Sequence, residues 1–178
     1  VSINESQAEA LISAGLHFAA DDTIALNVDG THLSNSLKDL SKLGVDTVTG
    51  ADGQVVHVDL GGVGALKAGV PGFASGLDVT LDVANLNELN AVAGLAGGLK
   101  ADGIDSVQMN LQHGVNGTYQ TALNKLLSDG GTALKADVSA LRNADVGIDT
   151  LDVGGAGVNA TVSINESQAE ALISAGLH

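Results

Sequence analysis

The chain has 178 residues, of which 44% are hydrophobic and 2% aromatic, and it contains no cysteine. Its net charge is −14, with only seven lysines and arginines, which argues against nucleic acids and anionic membranes as partners. No run of 18 apolar residues occurs, so the sequence predicts no membrane span. The composition is that of a folded domain with an aliphatic core.

The segment at residues 1–17, VSINESQAEALISAGLH, recurs letter for letter at residues 162–178. An identity of this length does not arise by chance and indicates a tandem repeat, in which Val162 is the equivalent of Val1. We therefore predict one repeat at residues 1–161 and the start of the next, identical repeat at residues 162–178. Because the chain starts without Met and without a signal peptide, we expect it to be a segment of a longer protein.

A triplet of glycine, an apolar residue and Asp or His closes each predicted helix. The intervals between the triplets together span one long repeat, which gives five coils per repeat. Such a glycine supplies the left-handed residue that ends a helix, and the apolar residue after it packs onto the last turn. We expect positive φ angles at Gly44, Gly103 and Gly147. The triplets begin at Gly15, Gly44, Gly76, Gly103, Gly147 and Gly176.

Short segments in which apolar and polar residues alternate follow the triplets. Such alternation indicates a strand with one buried and one solvated face. A further pair of strands is predicted at residues 47–55, around a turn at residues 50–53. The five alternating segments are residues 24–28, 56–60, 79–83, 107–111 and 148–153.

Helix signals lie between these strands. The longest coil, from Gly103 to Gly147, is predicted to hold two short helices, around residues 123–127 and 134–141, with a hinge at Gly130 and Gly131. The helical pattern at residues 63–73 is interrupted by glycines and a proline. The predicted N-caps are Asn4 with Gln7, Ser34 or Ser36, and Asn85 with Glu88.

Strand, helix and parallel strand in succession give right-handed crossovers. With one sheet face open, helices cover the other face only, so the predicted fold is an α/β repeat solenoid of strand–helix coils with a mainly parallel sheet. The competing architecture is a compact single-layer α/β domain in each long repeat, strung as beads. Residues 162–178 are expected to join consecutive repeats. Val162 and Ile164 are placed on a buried strand face, and the covering helix stripe is Ala169, Leu172, Ile173 and Leu177.

Polar residues stand at equivalent places near the ends of the predicted strands. In register they would stack about 4.8 Å apart on the solvated face, where adjacent carboxylates repel unless a cation lies between them. The simpler interpretation is that Asp and Asn end strands and start turns. This series is Asn27, Asp59, Asp82, Asn110 and Asp152. With two acidic turns added, the candidate ligands for Ca²⁺ are Asp29, Asp52, Asp59, Asp82 and Asp152.

Glycine-rich turns follow two predicted strands, at residues 61–64 and 154–157. The first has the strand-to-helix context of a dinucleotide-binding turn, but Lys67 stands where a third glycine is required. Only Asp82 could serve as its acidic ribose ligand. Two copies of the turn favour a repeated structural turn. Since the five histidines share no metal-ligand spacing and no serine lies in a nucleophile elbow, we expect no enzyme activity.

Long identical repeats, the lack of cysteine and an acidic composition rich in Gly, Asp, Asn and Ala together resemble a known class. They resemble the very large repetitive surface proteins that bacteria export by type I secretion, the adhesins and haemolysin-like repeat proteins. Residues 32–46, HLSNSLKDLSKLGVD, are similar to a recurring element in such proteins from proteobacteria. The resemblance implies an extracellular fibre, stalk or surface layer, self-assembly with neighbouring copies of the repeat, and a role for Ca²⁺.

A second function class is a ligand-binding adhesin module that takes a glycan or depends on calcium. Such a module would use the open face of the sheet. The low aromatic content argues against a sugar-binding platform, which is commonly built from aromatic rings.

Overall fold

The computed structural model describes residues 1–64, 71–111, 119–148, 150–153 and 160–177. The fold is mixed α/β, as predicted. Its described strands are β1 (Ser2–Asn4), β2 (Ala25–Asn27), β3 (Thr47–Thr49), β4 (Val55–Asp59), β5 (Gly72–Phe73), β6 (Asp78–Val83), β7 (Ser106–Asn110) and β8 (Leu151–Asp152). The described helices are α1 (Glu5–Ser13), α2 (Leu37–Leu43), α3 (Leu86–Ala93), α4 (Ala96–Leu99), α5 (Tyr119–Leu126), α6 (Thr132–Asn143) and α7 (Glu166–Ala175).

The strands form two four-stranded sheets, with the orders β1-β2-β3-β5 and β4-β6-β7-β8. Parallel pairing joins β1 to β2, β2 to β3, β3 to β5 and β7 to β8. The prediction of parallel strands between helices is confirmed, although they are divided between two sheets. The solenoid, and the placing of helices on one face, stay predictions.

The chain divides into two compact units. The first contains Val1–Leu81 and Gly98–Asp105, and the second contains Asp82–Gly97 and Ser106–His178. Each has an aliphatic core, as the composition predicts, with residues such as Leu26 and Leu40 in the first and Leu89 and Leu134 in the second. Among the described residues, no helix is long and apolar enough to cross a membrane.

The predicted pair of strands around residues 50–53 is correct in its turn and wrong in its pairing. The Gln54 N–H donates to the Ala51 carbonyl at 3.1 Å, and Gly53 has φ 73°. However, β3 pairs with β2 and β5, whereas β4 belongs to the other sheet. Turn residues fix where the chain reverses, but burial of each strand decides which neighbour it finds.

The predicted helix starts are confirmed with one refinement. Asn85 caps α3 by accepting from the Glu88 N–H at 3.1 Å, but the Glu88 carboxylate accepts from Ala84 at 2.8 Å, one residue before the N-cap. Ser36, and not Ser34, caps α2. The predicted hinge between α5 and α6 is also present, since Gly130 and Gly131 have φ 71° and 75°.

We expect a left-handed triplet glycine at the end of three helices, and the structure shows one at two of them. Gly44 and Gly103 have φ 86° and 85°. The prediction for Gly147 is wrong, because the left-handed residue after α6 is Asp145, with φ 61°. The next N–H, of Val146, donates to the Leu141 carbonyl at 3.1 Å and completes the helix end. Asp tolerates this conformation better than most side chains, so the sequence pattern places the helix end too late in the chain.

In two of the triplets the aspartate anchors a neighbouring strand, a role that the sequence reasoning missed. Asp46 accepts from the Ile24 N–H through its carboxylate at 2.8 Å and donates its own N–H to the Ile24 carbonyl at 3.0 Å. Asp105 makes the same two bonds with Val79, both at 3.0 Å. Burial acts to raise the pKa of Asp105, but hydrogen bonds from Lys100 and Val79 outweigh it and lower that pKa. The recurrence of Gly-apolar-Asp is the signal that could have revealed this anchor.

Candidate functional site: the repeated segment

The two copies of the repeated segment form the same capped helix, α1 in the first copy and α7 in the second. In α1, Asn4 and Gln7 form a reciprocal capping box, and Asn165 and Gln168 form the same box in α7. The equivalent glycines Gly15 and Gly176 follow the helices with φ 68° and 81°. In both copies the N–H after this glycine donates to a carbonyl of the last helical turns at 3.0 Å. The segment therefore encodes its own helix, start and end.

The first copy packs on residues that follow it in the chain. Its strand β1 lies at the edge of a sheet and pairs with β2, and α1 packs against α2 and β2. Ile3 is 7% exposed and Ala8 is fully buried. We call Ile3 and Ala8, with their equivalents Ile164 and Ala169, the forward face.

The second copy packs on residues that precede it. Helix α7 lies against α6, and Ala171, Ala175 and Leu177 are buried. We call these three, with their equivalents Ala10, Ala14 and Leu16, the backward face. Leu177 is 3% exposed, whereas the identical Leu16 is 58% exposed.

The forward face of the second copy is largely open, which corrects our prediction for residues 162–178. Residues 161–165 lie outside the described strands, and Ile164 is 48% exposed. Ile173, which we place on the covering stripe, is also exposed. The predicted stripe is therefore wrong for this copy, although the predicted burial at Leu177 is confirmed.

Side-chain hydrogen bonds hold the second copy in place. The Gln120 amide binds Ser163 twice, accepting from its N–H at 2.7 Å and donating to its carbonyl at 2.8 Å. Arg142 donates to the Gly176 carbonyl at 3.0 Å. Two further contacts join Gln168 to Asn124 and Lys135 to Ser174, both at 3.0 Å.

Close packing at the hinge depends on a glycine. A Cβ on Gly131 would lie 2.9 Å from the Cβ of Ala171. Gly131 also has a positive φ, so both its conformation and its contact with α7 favour glycine.

Asp137 lies buried on α6 and is 6% exposed. Its Oδ1 accepts from the Asn90 amide at 3.0 Å, while its Oδ2 has no hydrogen-bond partner. Burial raises the pKa of Asp137, and the hydrogen bond from Asn90 offsets only part of this rise.

The raised pKa predicts a pH-dependent stability. The folded protein keeps the Asp137 proton above pH 3.8, the ordinary value for the unfolded chain. The free energy of unfolding should therefore fall as pH rises from 3.8 through the folded pKa. The variant Asp137→Asn cannot titrate, so its stability relative to the original chain should grow over this window and then level off. We expect a gain of about 1 kcal/mol at neutral pH, measured by urea unfolding at several pH values.

The matched control is Asp145→Asn, which removes one charge at an exposed residue that Asn also tolerates in a left-handed conformation. If the difference in free energy of unfolding between Asp137→Asn and the original chain stays constant with pH, the raised pKa of Asp137 would be contradicted.

The predicted calcium ligands occupy different surroundings. Asp29 and Asp52 are exposed in loops. Asp59 ends β4, and its carboxylate accepts from the Gly61 N–H at 2.7 Å, the geometry of a residue that starts a turn. Asp82 is buried in β6, and Asp152 is half-buried in β8.

The predicted ladder of polar residues is broken. Asn27 lies in the other sheet from the remaining four, in register with Asn4 and Thr49. In the second sheet, Asn110 and Asp152 are in register. The prediction that the series faces solvent is wrong for Asp82 and Asn110, which are buried. Strand alternation alone cannot show that a polar face is covered.

The structure also brings together two histidines that the sequence spacing did not connect. His32 and His57 form an isolated parallel bridge, with ring centroids 5.4 Å apart in an edge-to-face arrangement. One nitrogen of each ring lies within 4.8 Å of one in the other. Imidazole nitrogen suits transition metals and not Ca²⁺. Because the two histidines come from different coils of the chain, no short motif could have predicted the pair.

A groove of about 540 Å³ lies on the first unit. Its lining includes His17, Phe18, Asp22, Lys42 and Asp46. Asp46 is already held by Ile24, and Phe18 offers the groove one partly exposed aromatic ring. The lining therefore presents polar groups with little aromatic surface.

Comparison with known proteins found no match among family models, curated proteins or solved structures.

Proposed function

We propose that the protein is a structural repeat protein that forms a fibre, stalk or surface layer from tandem units, without enzyme activity. The observation that carries this proposal is the segment at residues 1–17, which recurs without change at residues 162–178 and folds into the same capped helix twice. A fibre needs many interchangeable units, whereas an enzyme needs one site.

The repeated anchoring contacts support the same proposal. The bonds of Asp46 to Ile24 and of Asp105 to Val79 are the same pair of bonds in different coils. Coils that reuse one contact can be added in series, because each needs only its neighbours. The stacking of coils into a continuous solenoid is part of the proposal.

The test is to image chains that contain one, two and four consecutive copies of the long repeat, residues 1–161, by electron microscopy. Rods whose length grows in proportion to the number of repeats are expected. Globular particles, or beads without a fixed spacing, would contradict the fibre.

We also propose an extracellular location, because the sequence resembles exported repeat proteins. The net charge of −14 keeps such a chain soluble and separate from anionic surfaces.

We further propose that Ca²⁺ stiffens the array, as the acidic composition suggests. The exposed carboxylates of Asp29 and Asp52 are open to a hydrated cation. Removal of Ca²⁺ with a chelator should lower the melting temperature by several degrees, because a ligand at 100 times its dissociation constant contributes about 2.7 kcal/mol. The melt is repeated after Ca²⁺ or, as a control, Mg²⁺ is added back. An unchanged melting curve would remove calcium from the proposal and leave the fibre.

The alternative function is a ligand-binding adhesin module, which the groove beside Phe18 and Lys42 favours. Binding to a glycan array that is lost in Lys42→Ala would support it. Exposed Lys38, which does not line the groove as described, provides the matched control.

A further inference from the structure

The repeated segment uses different surfaces in its two copies. The forward face is buried in the first copy, and the backward face is buried in the second. Since the sequences are identical, the difference comes from which neighbour is present. Each copy therefore leaves wholly or partly open the surface that the other buries, since Ile164 is 48% exposed and Ala169 is half-buried in the second copy.

The two faces lie on opposite sides of the helix. Successive residues turn by about 100°, so Ala8 is about 200° from Ala10, while Ala10 and Ala14 are about 40° apart. One neighbour can thus occupy the side of Ala8 while another occupies the side of Ala10.

The hydrogen bonds of the two copies also use different groups. In the first copy, the Val1 carbonyl accepts from the Ala25 N–H at 2.8 Å. Backbone groups of successive strand residues point to opposite sides, so those of Ser2 point away from β2. In the second copy, the equivalent Ser163 groups are the ones that bind Gln120. The strand pairing and the Gln120 contact are compatible in a single copy.

We propose that residues 162–178, when followed by a second copy of residues 18–161, pack on both neighbours at once. The backward face stays on α6. The forward face takes the β2 and α2 of the next copy, and residues 163–165, the equivalents of β1, then become a strand. This inference rests on the tandem repeat proposed above, and it names the partner of the open surface as the next copy of this chain.

The experiment compares the chain of residues 1–178 with a longer chain in which the sequence of residues 18–161 follows residue 178. Ala169→Glu and Ile164→Ser change the forward face of the joint. In the shorter chain each should shift the melting temperature by no more than about 2 °C, whereas in the longer chain each should lower it by about 4 °C or more. Ser167→Glu, at a residue exposed in both copies, should have little effect in either chain.

Hydrogen exchange provides a second measurement without any substitution. The amides of Val162 and Ile164 should exchange at least tenfold more slowly in the longer chain, because their N–H groups gain backbone partners there. The amides of Ser163 and Asn165 already donate to Gln120 and Gln168 and should change less. Equal exchange rates and equal variant effects in the two chains would overturn the proposal that residues 162–178 pack on both neighbours. That result would leave the fibre proposal open, because linked repeats form a fibre without this contact as well. If the joint is protected from exchange but microscopy shows no rods, the proposed fibre would be rejected, while the proposal that the joint packs on both neighbours would stand.

Discussion

Ala171→Glu should destabilise the protein by about 2–4 kcal/mol, since it prevents α7 from covering α6 and exposes Leu177. Ala10→Glu, the same substitution in the same sequence, should change stability by less than about 0.5 kcal/mol. Ala171 is buried against the hinge glycine Gly131, whereas Ala10 is exposed. Burial of a leucine contributes about 1.5–3 kcal/mol and each alanine methyl about 0.8 kcal/mol.

The forward face supplies the reciprocal control. Ala8→Glu should destabilise strongly, because Ala8 is fully buried, while Ala169→Glu should be mild in this chain. The measurement is urea unfolding of the four variants side by side. Equal effects at Ala10 and Ala171 would mean that sequence alone, and not the neighbour, sets the environment of the segment.

Local features of the fold are readable from the sequence because short-range chemistry fixes them. The box of Asn4 with Gln7, the hinge at Gly130 and the left-handed Gly44 each depend on residues within one turn. The five alternating segments likewise locate β2, β4, β6, β7 and β8, although β8 spans only Leu151–Asp152.

Long-range pairing is where sequence reasoning fails. The alternation in residues 79–83 predicts a solvated Asp82, but Asp82 is buried. Periodicity reports which side of a strand a residue points to, and it does not report what covers that side. The assignment of strands to two sheets has the same origin, since nothing local distinguishes β3 from β4.

The repeated segment shows the same limit in a stricter form. One sequence buries Ile3 in its first copy and leaves Ile164 open in its second. No property of the segment itself could have separated these two outcomes. The predicted stripe with Ala169 and Ile173 fails because both faces of this helix are apolar enough to pack.

Two predictions concern residues outside the described ranges, and they stay predictions. The interrupted helix pattern falls largely on residues 65–70, and the second glycine-rich turn falls on residues 154–157. The nucleotide-binding interpretation that used Lys67 depends on the first of these ranges and lies outside the described residues.

The second large effect is expected at Gly103. Gly103→Ala should destabilise by about 2–4 kcal/mol, of which about 1–2 kcal/mol comes from the left-handed backbone and the rest from crowding. A Cβ there would lie 2.9 Å from the Phe73 carbonyl oxygen and 3.0 Å from the Phe73 Cβ. Backbone at this distance cannot yield, because the Phe73 N–H is itself bound to the Asp102 carbonyl at 3.0 Å.

Gly44 is the matched control for this substitution. It has nearly the same φ and faces Phe18 in the same way, but a Cβ there would meet its nearest atoms at 3.7 Å. Gly44→Ala should therefore cost only the backbone term of about 1–2 kcal/mol.

At the third helix end, Asp145→Gly should stabilise by up to about 1 kcal/mol, because Asp145 holds the left-handed position there. Unfolding midpoints of the three variants measure these differences. Equal losses at Gly44 and Gly103 would show that the contact with Phe73 can relax, and a loss in Asp145→Gly would show that the aspartate side chain contributes more than its backbone strain costs.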